Sequence, residues 1–562
     1  MVEKLPEIIA RLLADRGITD EKSIADYFSP SLSNLSKPEE LPGIAAAADA
    51  VLAAVQARRR IVVFGDYDCD GVCATAIAMK AIATLTDDPE RVVPFLPDRL
   101  TEGYGMSDRS VARMLAENPD VGLVVTVDNG INSIEQVADL KAKGIATVVT
   151  DHHLPSPTLP EAEAIVDPKV AAPDHLANLC GAGVAFLLAN RIMSEAKRRG
   201  LYAGENIGGP LLVLAGLATV TDIMPLVGQN RILVSEALRR FRCWAPIGLR
   251  ELLDRASRSG VTQLTAKDFG FALGPRINAA GRMASGLESL ELILSTDREV
   301  ARELARIVDM HNVDRKAREQ KMTEEALAKV VPGAAAQVID LPDGHPGIAG
   351  IVAARVLERL GAEANGRKVP VCVIAGGHGS ARAPEGLNIR DAMEACSDAL
   401  DRFGGHAAAG GFSVKEGRTD DFRDLLCAYC AARPVPASAP DAAGVGGVVP
   451  HLWIEPQDLT LDLAEWLTRL EPFGEGNPEP VFGLRAQRLA DVRQLGHDGR
   501  HLAISFGDRR CPRAVWWNHG ERVEELRRNS SGLFDIAFTL GISEYGERHA
   551  ELRLSALAPV VV

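Results

Sequence analysis

Three short stretches, Ile61-Val62-Val63-Phe64, Leu123-Val124-Val125-Thr126-Val127 and Thr147-Val148-Val149-Thr150, are apolar, β-branched and without polar alternation. Such runs suit strands buried on both faces of a parallel sheet. Helix-favouring segments separate them, so residues 61 to about 226 predict a doubly wound α/β domain. Residues 5 to 55 predict two short helices around Pro30 and Pro38, and residues 181–199 and 210–219 predict buried helices. A charged stretch over 297–330 without Gly or Pro predicts one long helix. A smaller α/β unit follows from 336 to 432. Pro, Ala, Gly and Ser then mark a linker over 434–447. Alternating apolar and polar residues in 501–506 and 550–555 predict a small β-barrel. The expected organisation is a helical segment over 1–55, an α/β domain over 56–235 and a helical connector over 236–330. A second α/β domain over 331–432, a linker over 433–447 and a barrel over 448–562 complete it.

Composition changes this picture little. A chain of 562 residues is too long for one core, and 46% hydrophobic with 25% charged content is ordinary for a soluble protein. No apolar run reaches the length of a membrane span, and the N-terminus lacks the basic head and apolar core of a secretory signal. A cytoplasmic, monomeric protein without a membrane partner is expected. Nine cysteines are scattered, and Cys427 and Cys430 form a lone CxxC without the second pair a zinc site needs. The net charge of −14 argues mildly against a nucleic-acid partner. Several of those charges fall in one cluster, where bound cations would invert the local field.

That cluster follows from the strands. Each apolar run leads directly into polar groups: Asp66, Asp68 and Asp70 after the first, Asp128 after the second, Asp151-His152-His153 after the third. In an open α/β sheet all of them emerge at the carboxyl edge, where ligands bind. So many carboxylates in one crevice repel each other unless cations fill it, and two divalent ions are expected. If the acidic turn is extended, alternate side chains in Asp66, Asp68 and Asp70 share one side. Alone, that turn fits a solvated loop equally well, and Asp128 fits a helix cap. The adjacent histidines add nitrogen ligands suited to manganese-like ions. Asp222 ends the buried run 211–220 and needs a partner that a metal would supply. Two such ions sharing a water imply phosphoester or phosphoanhydride hydrolysis.

These segments resemble the first three motifs of the DHH phosphoesterase superfamily, and more narrowly its RecJ family of single-strand-specific 5′-to-3′ DNA exonucleases. Glu102-Gly103-Tyr104-Gly105, the stretch 274–282, the stretch 345–353, Gly379-Ser380-Ala381-Arg382 and Arg402-Phe403-Gly404-Gly405-His406 extend the likeness over nearly the whole chain. The resemblance implies a DHH domain, a long linking helix, a DHHA1 domain and a C-terminal OB-like barrel. It makes Asp66, Asp68, Asp70, Asp128, His152 and Asp222 metal ligands for two Mn2+ or Mg2+ ions, with Asp128 bridging. Asp128, His152 and His153 are then the catalytic group, His153 meeting the scissile phosphate. Ser380, Arg382, Gly404, Gly405 and His406 are implied to hold phosphates, and Arg276, Asn278 and Arg282 to contact DNA. Without the likeness, the Gly404-Gly405-His406 turn reads as mere loop closure.

Two positions depart from the family pattern: Cys69, where a small residue is common, and Ala383-Pro384, where a hydroxyl is usual. Trp516, Trp517, Arg513 and His519 fit either base stacking or a barrel core. The implied activity is single-stranded DNA digestion in repair and recombination, with a single-strand-binding protein and a RecQ-type helicase as partners. The rivals are a short-oligonucleotide or cyclic-dinucleotide phosphodiesterase, a family-II pyrophosphatase and a non-catalytic replication scaffold. The small-substrate enzymes generally lack residues equivalent to 448–562, and scaffolds usually lose metal ligands.

Overall fold

The first three apolar runs form β1 (Arg60–Phe64), β3 (Val121–Val127) and β4 (Ala146–Thr150), joined by β2 (Val92–Phe95) and β5 (Ala164–Val166). The computed structural model describes residues 5–99, 101–256, 263–362, 368–434, 444–544 and 547–560. All five strands are parallel, in the order β2-β1-β3-β4-β5. Every residue of β1 from Ile61 to Phe64 is buried, which explains the absence of polar alternation. The order reverses at β1, which lies between β2 and β3, so a crevice opens at their carboxyl ends. Helix Cys69–Ala83 packs against helices Gly181–Arg198 and Gly208–Thr221 to cover one face.

The described residues fall into two compact units, one within 36–224 and 237–437, the other within 1–35, 225–236 and 438–562. The first unit contains both α/β layers. Its long helix runs Arg298–Ala328, where one helix is expected over 297–330. Asp297 caps it by accepting the Val300 N–H at 2.9 Å. That helix packs on helix Gly274–Met283 and on helix Ala349–Ala362, linking the two layers. The second layer has β6 (Gln337–Leu341), β7 (Val371–Ala375), β8 (His378–Arg382), β9 (Leu400–Gly405) and β10 (Ala409–Val414). Their order is β6-β7-β8-β10-β9, with only β6 and β7 parallel.

The second unit is the expected barrel. β11 (Leu452–Trp453) runs beside β12 (Phe482–Leu495), followed by β13 (His501–Phe506), β14 (Ala514–Trp516), β15 (Leu533–Ser543) and β16 (His549–Pro559). Pairing of β12 with β15 closes five of these strands into a ring, which removes exposed edges. Helices Glu7–Asp15 and Glu21–Phe28 put Ile9, Leu12, Leu13 and Tyr27 into the core cluster that holds Phe482 and Phe538. Arg231 stacks 3.7 Å from the Tyr27 ring centre and donates to the Leu470 and Glu471 carbonyls. The segment expected as one piece over 1–55 is therefore divided. Its third helix, Ile44–Gln56, packs instead on helix Gly181–Arg198 and β5. Of the linker expected over 433–447, residues 435–443 lie outside the described residues. Among the described residues no helix is long and apolar enough to cross a membrane.

This pairing of chain ends is testable. Leu13 is 1% exposed, so Leu13→Ala is expected to destabilise the barrel by about 2–5 kcal/mol. Chemical denaturation followed by tryptophan fluorescence reads it, since Trp453, Trp466, Trp516 and Trp517 all lie in this unit. An unchanged barrel transition would show that the two N-terminal helices do not hold it.

Candidate active site

The acidic run does not stay extended. It bends into helix Cys69–Ala83, with Asp68 as N-cap and Asp70 in the first turn. Asp68 Oδ1 accepts the Asp70 and Gly71 N–H groups, both at 3.0 Å. Asp70 is 2% exposed, and its carboxylate accepts the Gly181 and Ala182 N–H groups at 2.7 and 2.8 Å. The first turn of helix Gly181–Arg198 thus fixes Asp70, a contact no local pattern announces. Gly181 is required there, because a Cβ would lie 2.5 Å from the Asp128 Cβ.

Asp128 leaves β3 in the left-handed region at φ 62°, which aspartate tolerates better than most residues. Asp222 caps the end of helix Gly208–Thr221, and the following Ile223 is also left-handed at φ 57°. A β-branched residue there stores roughly 1–3 kcal/mol of strain beside the site. His152 Nε2 lies 3.0 Å from Asp128 Oδ1, 3.6 Å from Asp70 Oδ2 and 3.8 Å from Asp222 Oδ2. Asp151 points elsewhere. It accepts from the Ile131 and His152 N–H groups and meets His153 Nδ1 at 2.7 Å, so it orients His153. The Tyr104 hydroxyl donates to the Asp128 carbonyl at 2.9 Å and sits 3.2 Å from His153 Nδ1.

Burial, then the charge of Asp68, pushes the Asp66 carboxyl far up. Burial also raises Asp128, with Asp70, Asp68, Asp66 and Asp222 adding to it. Asp222 is pushed up to about 9 by burial and then by Asp70 and Asp68. His152 is driven down by burial. For His153 burial pulls downward, but the Asp151 hydrogen bond and charge outweigh it and hold the imidazolium at about 9.

The donor set fits divalent metal. Asp66 Oδ1, Asp128 Oδ1 and Asp222 Oδ2 are buried acceptors without a hydrogen-bond partner, the state a metal ligand has before its ion is counted. Ligand atoms of Asp66, Asp68 and Asp128 lie within 4.8 Å of one another, as do those of Asp70, His152 and Asp222, and of Asp128, His152 and His153. Asp128 and His152 therefore stand where the first two groups meet. Oxygen ligands with one or two imidazoles suit Mn2+ or Mg2+.

A cleft of about 580 Å3, sharing Tyr104 with the surroundings of Asp128 and His153, is lined by Arg99, Tyr104 and Arg109 from one layer and His378, Ser380 and Arg402 from the other. Arg382 lies behind it, its Nη1 donating to the Ala381 carbonyl at 2.8 Å. Burial and then the positive charge of Arg99 lower its pKa, and Arg99 in turn stands close enough to Asp66 to pull that carboxyl downward. Gly404 and Gly405 pair with Gly411 and Gly410 at the β9–β10 end, and His406 is exposed in the turn. On helix Gly274–Met283 the expected DNA contacts separate. Arg276 donates to Asp309 at 2.8 Å and to the Ala272 carbonyl at 2.7 Å. Asn278 accepts the Cys69 N–H at 2.6 Å, whereas Arg282 is half-buried with one long bond, 3.3 Å, to the Gly347 carbonyl. Sequence reasoning missed Arg99 and Arg109. Arg99 sits in the loop after β2, three residues before the glutamate of the Glu102-Gly103-Tyr104-Gly105 segment, which was the available signal.

Comparison with known proteins matches the three parts in order. Residues 60–211 match the DHH family, N-terminal domain; residues 332–432 match the DHHA1 domain; residues 452–555 match the RecJ OB domain. The single-stranded-DNA-specific exonuclease RecJ of Dickeya dadantii is 36% identical, covering 99% of this chain and 97% of its own. The RecJ of Escherichia coli is 32% identical, with 99% and 96% covered. The crystal structure of RecJ in complex with Mn2+ from Thermus thermophilus superposes with a TM-score of 0.79 at 30% identity, covering 99% of this chain and 79% of that one. With the three domains matched in order and relatives more than 30% identical over nearly the whole chain, the protein belongs to the RecJ family.

Proposed function

We propose that the chain is a metal-dependent exonuclease that removes mononucleotides from single-stranded DNA in the 5′-to-3′ direction, in DNA repair and recombination. The observation that carries this reading is the group of carboxylates and imidazoles, three of whose buried carboxylate oxygens lack a partner, near a cleft lined by Arg99, Arg109 and Arg402. Asp66, Asp68, Asp70, Asp128, His152 and Asp222 would hold two ions, with Asp128 between them. Bound there, the ions supply an activated water and grip a phosphoryl oxygen. His153, oriented by Asp151, presents its charge to the scissile phosphate and can protonate the leaving oxygen. Ser380 and Arg382 hold a phosphate across the cleft, with Gly404, Gly405 and His406 as its outer rim. Arg282 offers a half-buried positive charge between the two. The barrel favours a long strand over a small substrate, since an OB surface extends the contact along a chain. A single-strand-binding protein, a RecQ-type helicase and a cytoplasmic setting belong to the same reading.

The test is digestion of 5′- and 3′-end-labelled oligonucleotides, single- and double-stranded, with Mn2+. Mononucleotide release from the 5′ end of single strands only, abolished by chelator and restored by fresh Mn2+ or Mg2+, is expected. Release from the 3′ end, or equal attack on duplex, would overturn the polarity or the strand preference.

A further inference from the structure

We infer that Asn278 is a positioning residue for the metal-binding loop, a role that builds on the proposed two-metal site. The first turn of helix Cys69–Ala83 has N–H groups with no partner inside the helix. Asp68 Oδ1 takes two of them, those of Asp70 and Gly71. The remaining one, of Cys69, is taken by Asn278 Oδ1 at 2.6 Å from a residue 209 positions away. Asp68 is thereby a cap with two tasks: Oδ1 holds the turn, and its carboxylate also lies in one group with those of Asp66 and Asp128.

Remove the Asn278 oxygen and the Cys69 N–H is left without an acceptor. The Asp68 carboxylate borders the same turn, and its rotation toward Cys69 would draw it away from Asp66 and Asp128. Helix Gly274–Met283 is built for this contact. Gly281 lies so close that a Cβ would overlap the Tyr67 carbonyl oxygen, and one at Gly286, in the next helix, would lie 3.2 Å from the Tyr67 Cα. The helix also reaches the second layer through Arg282 and the Gly347 carbonyl, 3.3 Å apart. One short helix thus touches both the acidic loop and the wall of the phosphate cleft.

The role predicts an effect on metal rather than on DNA. Partners that orient a ligand typically account for about 10- to 100-fold in metal affinity. In the full chain, Asn278→Ala is expected to weaken Mn2+ binding by that factor, read by electron paramagnetic resonance titration without DNA. At saturating Mn2+ the KM for a single-stranded oligonucleotide should move less than about threefold, within the context scatter of one contact. Asn278→Asp keeps an acceptor for Cys69 and should restore Mn2+ affinity, although a carboxylate would repel a DNA phosphate. Thermal melting in chelator separates loss of fold from loss of positioning. Unchanged Mn2+ affinity in Asn278→Ala, or a loss carried by KM and worsened in Asn278→Asp, overturns the inference in favour of a DNA contact. The metal titration needs no nuclease activity, so it reads the positioning role even if the wild-type chain fails to cut DNA.

Discussion

Asp128→Asn is expected to lower hydrolysis of single-stranded DNA by about 10³- to 10⁴-fold, equivalent to roughly 4–5.5 kcal/mol of transition-state stabilisation. Asparagine matches aspartate in shape and tolerates the left-handed backbone at φ 62°, so the fold should be retained. What is lost is the one carboxylate shared between ligand groups, 3.0 Å from His152 and grouped with Asp66 and Asp68. A neutral amide would supply none of the negative charge with which this carboxylate would help hold divalent cations. The same change carries an opposite effect on stability. Asp128 is 3% exposed among Asp66, Asp68, Asp70 and Asp222, all negative when ionised. In chelator, removing its charge should therefore stabilise the protein by about 1 kcal/mol, the usual size of such relief at a functional site. Added Mn2+ should raise the melting temperature of the wild type more than that of the variant. Retained cleavage in Asp128→Asn would place the chemistry elsewhere. A variant that melts lower in chelator would show that the carboxylate serves the fold rather than the ions.

The parts legible in the sequence are those whose signal is local. β1, β3 and β4 announce themselves by unbroken β-branched runs, and Asp66, Asp128 and Asp151 follow directly from where those runs stop. The long helix is equally plain, with Asp297 at its start and no Gly or Pro inside. Contacts between distant segments leave no such trace. Nothing near Asp70 foretells that the N–H groups of Gly181 and Ala182 hold it, and nothing near Asn278 points to Cys69. The acidic run is legible as a cluster but not as a helix start, because Asp68 serves as cap and ligand at once. Helices at the N-terminus have an apolar stripe that any core could bury, and the one used is the barrel nearly the whole chain away. At the tryptophan pair alternation leaves open which ring is buried, and the structure separates them: Trp516 is 3% exposed and Trp517 53%. Periodicity shows that a face is buried; it does not say against what.

Arg382→Ala is expected to raise the KM for single-stranded DNA by about 10²-fold while leaving Mn2+ affinity unchanged. Arg382 ends β8 close to Ser380, and Arg99 approaches it from the first layer. The two guanidinium charges repel each other, and an anion held beside them would relieve that repulsion. A phosphate oxygen pair meets that need, and a charged hydrogen bond of this kind contributes about 1.5–3 kcal/mol. Loss of the whole group should therefore cost about 3 kcal/mol in binding, most of it seen in KM because the phosphate held is not the one cleaved. Arg382→Lys keeps the charge but not the planar fork, so it should recover only part of the loss. The effect should also shrink as salt rises, since the remaining cleft cations are screened together. An oligonucleotide without a 5′-phosphate separates the possible roles. If Arg382 grips the terminal phosphate, wild type and Arg382→Ala should handle that substrate alike; if the gap between them persists, the arginine serves an internal phosphate instead. A fall in kcat with KM unchanged would move Arg382 from holding the strand to stabilising the reacting phosphoryl group itself.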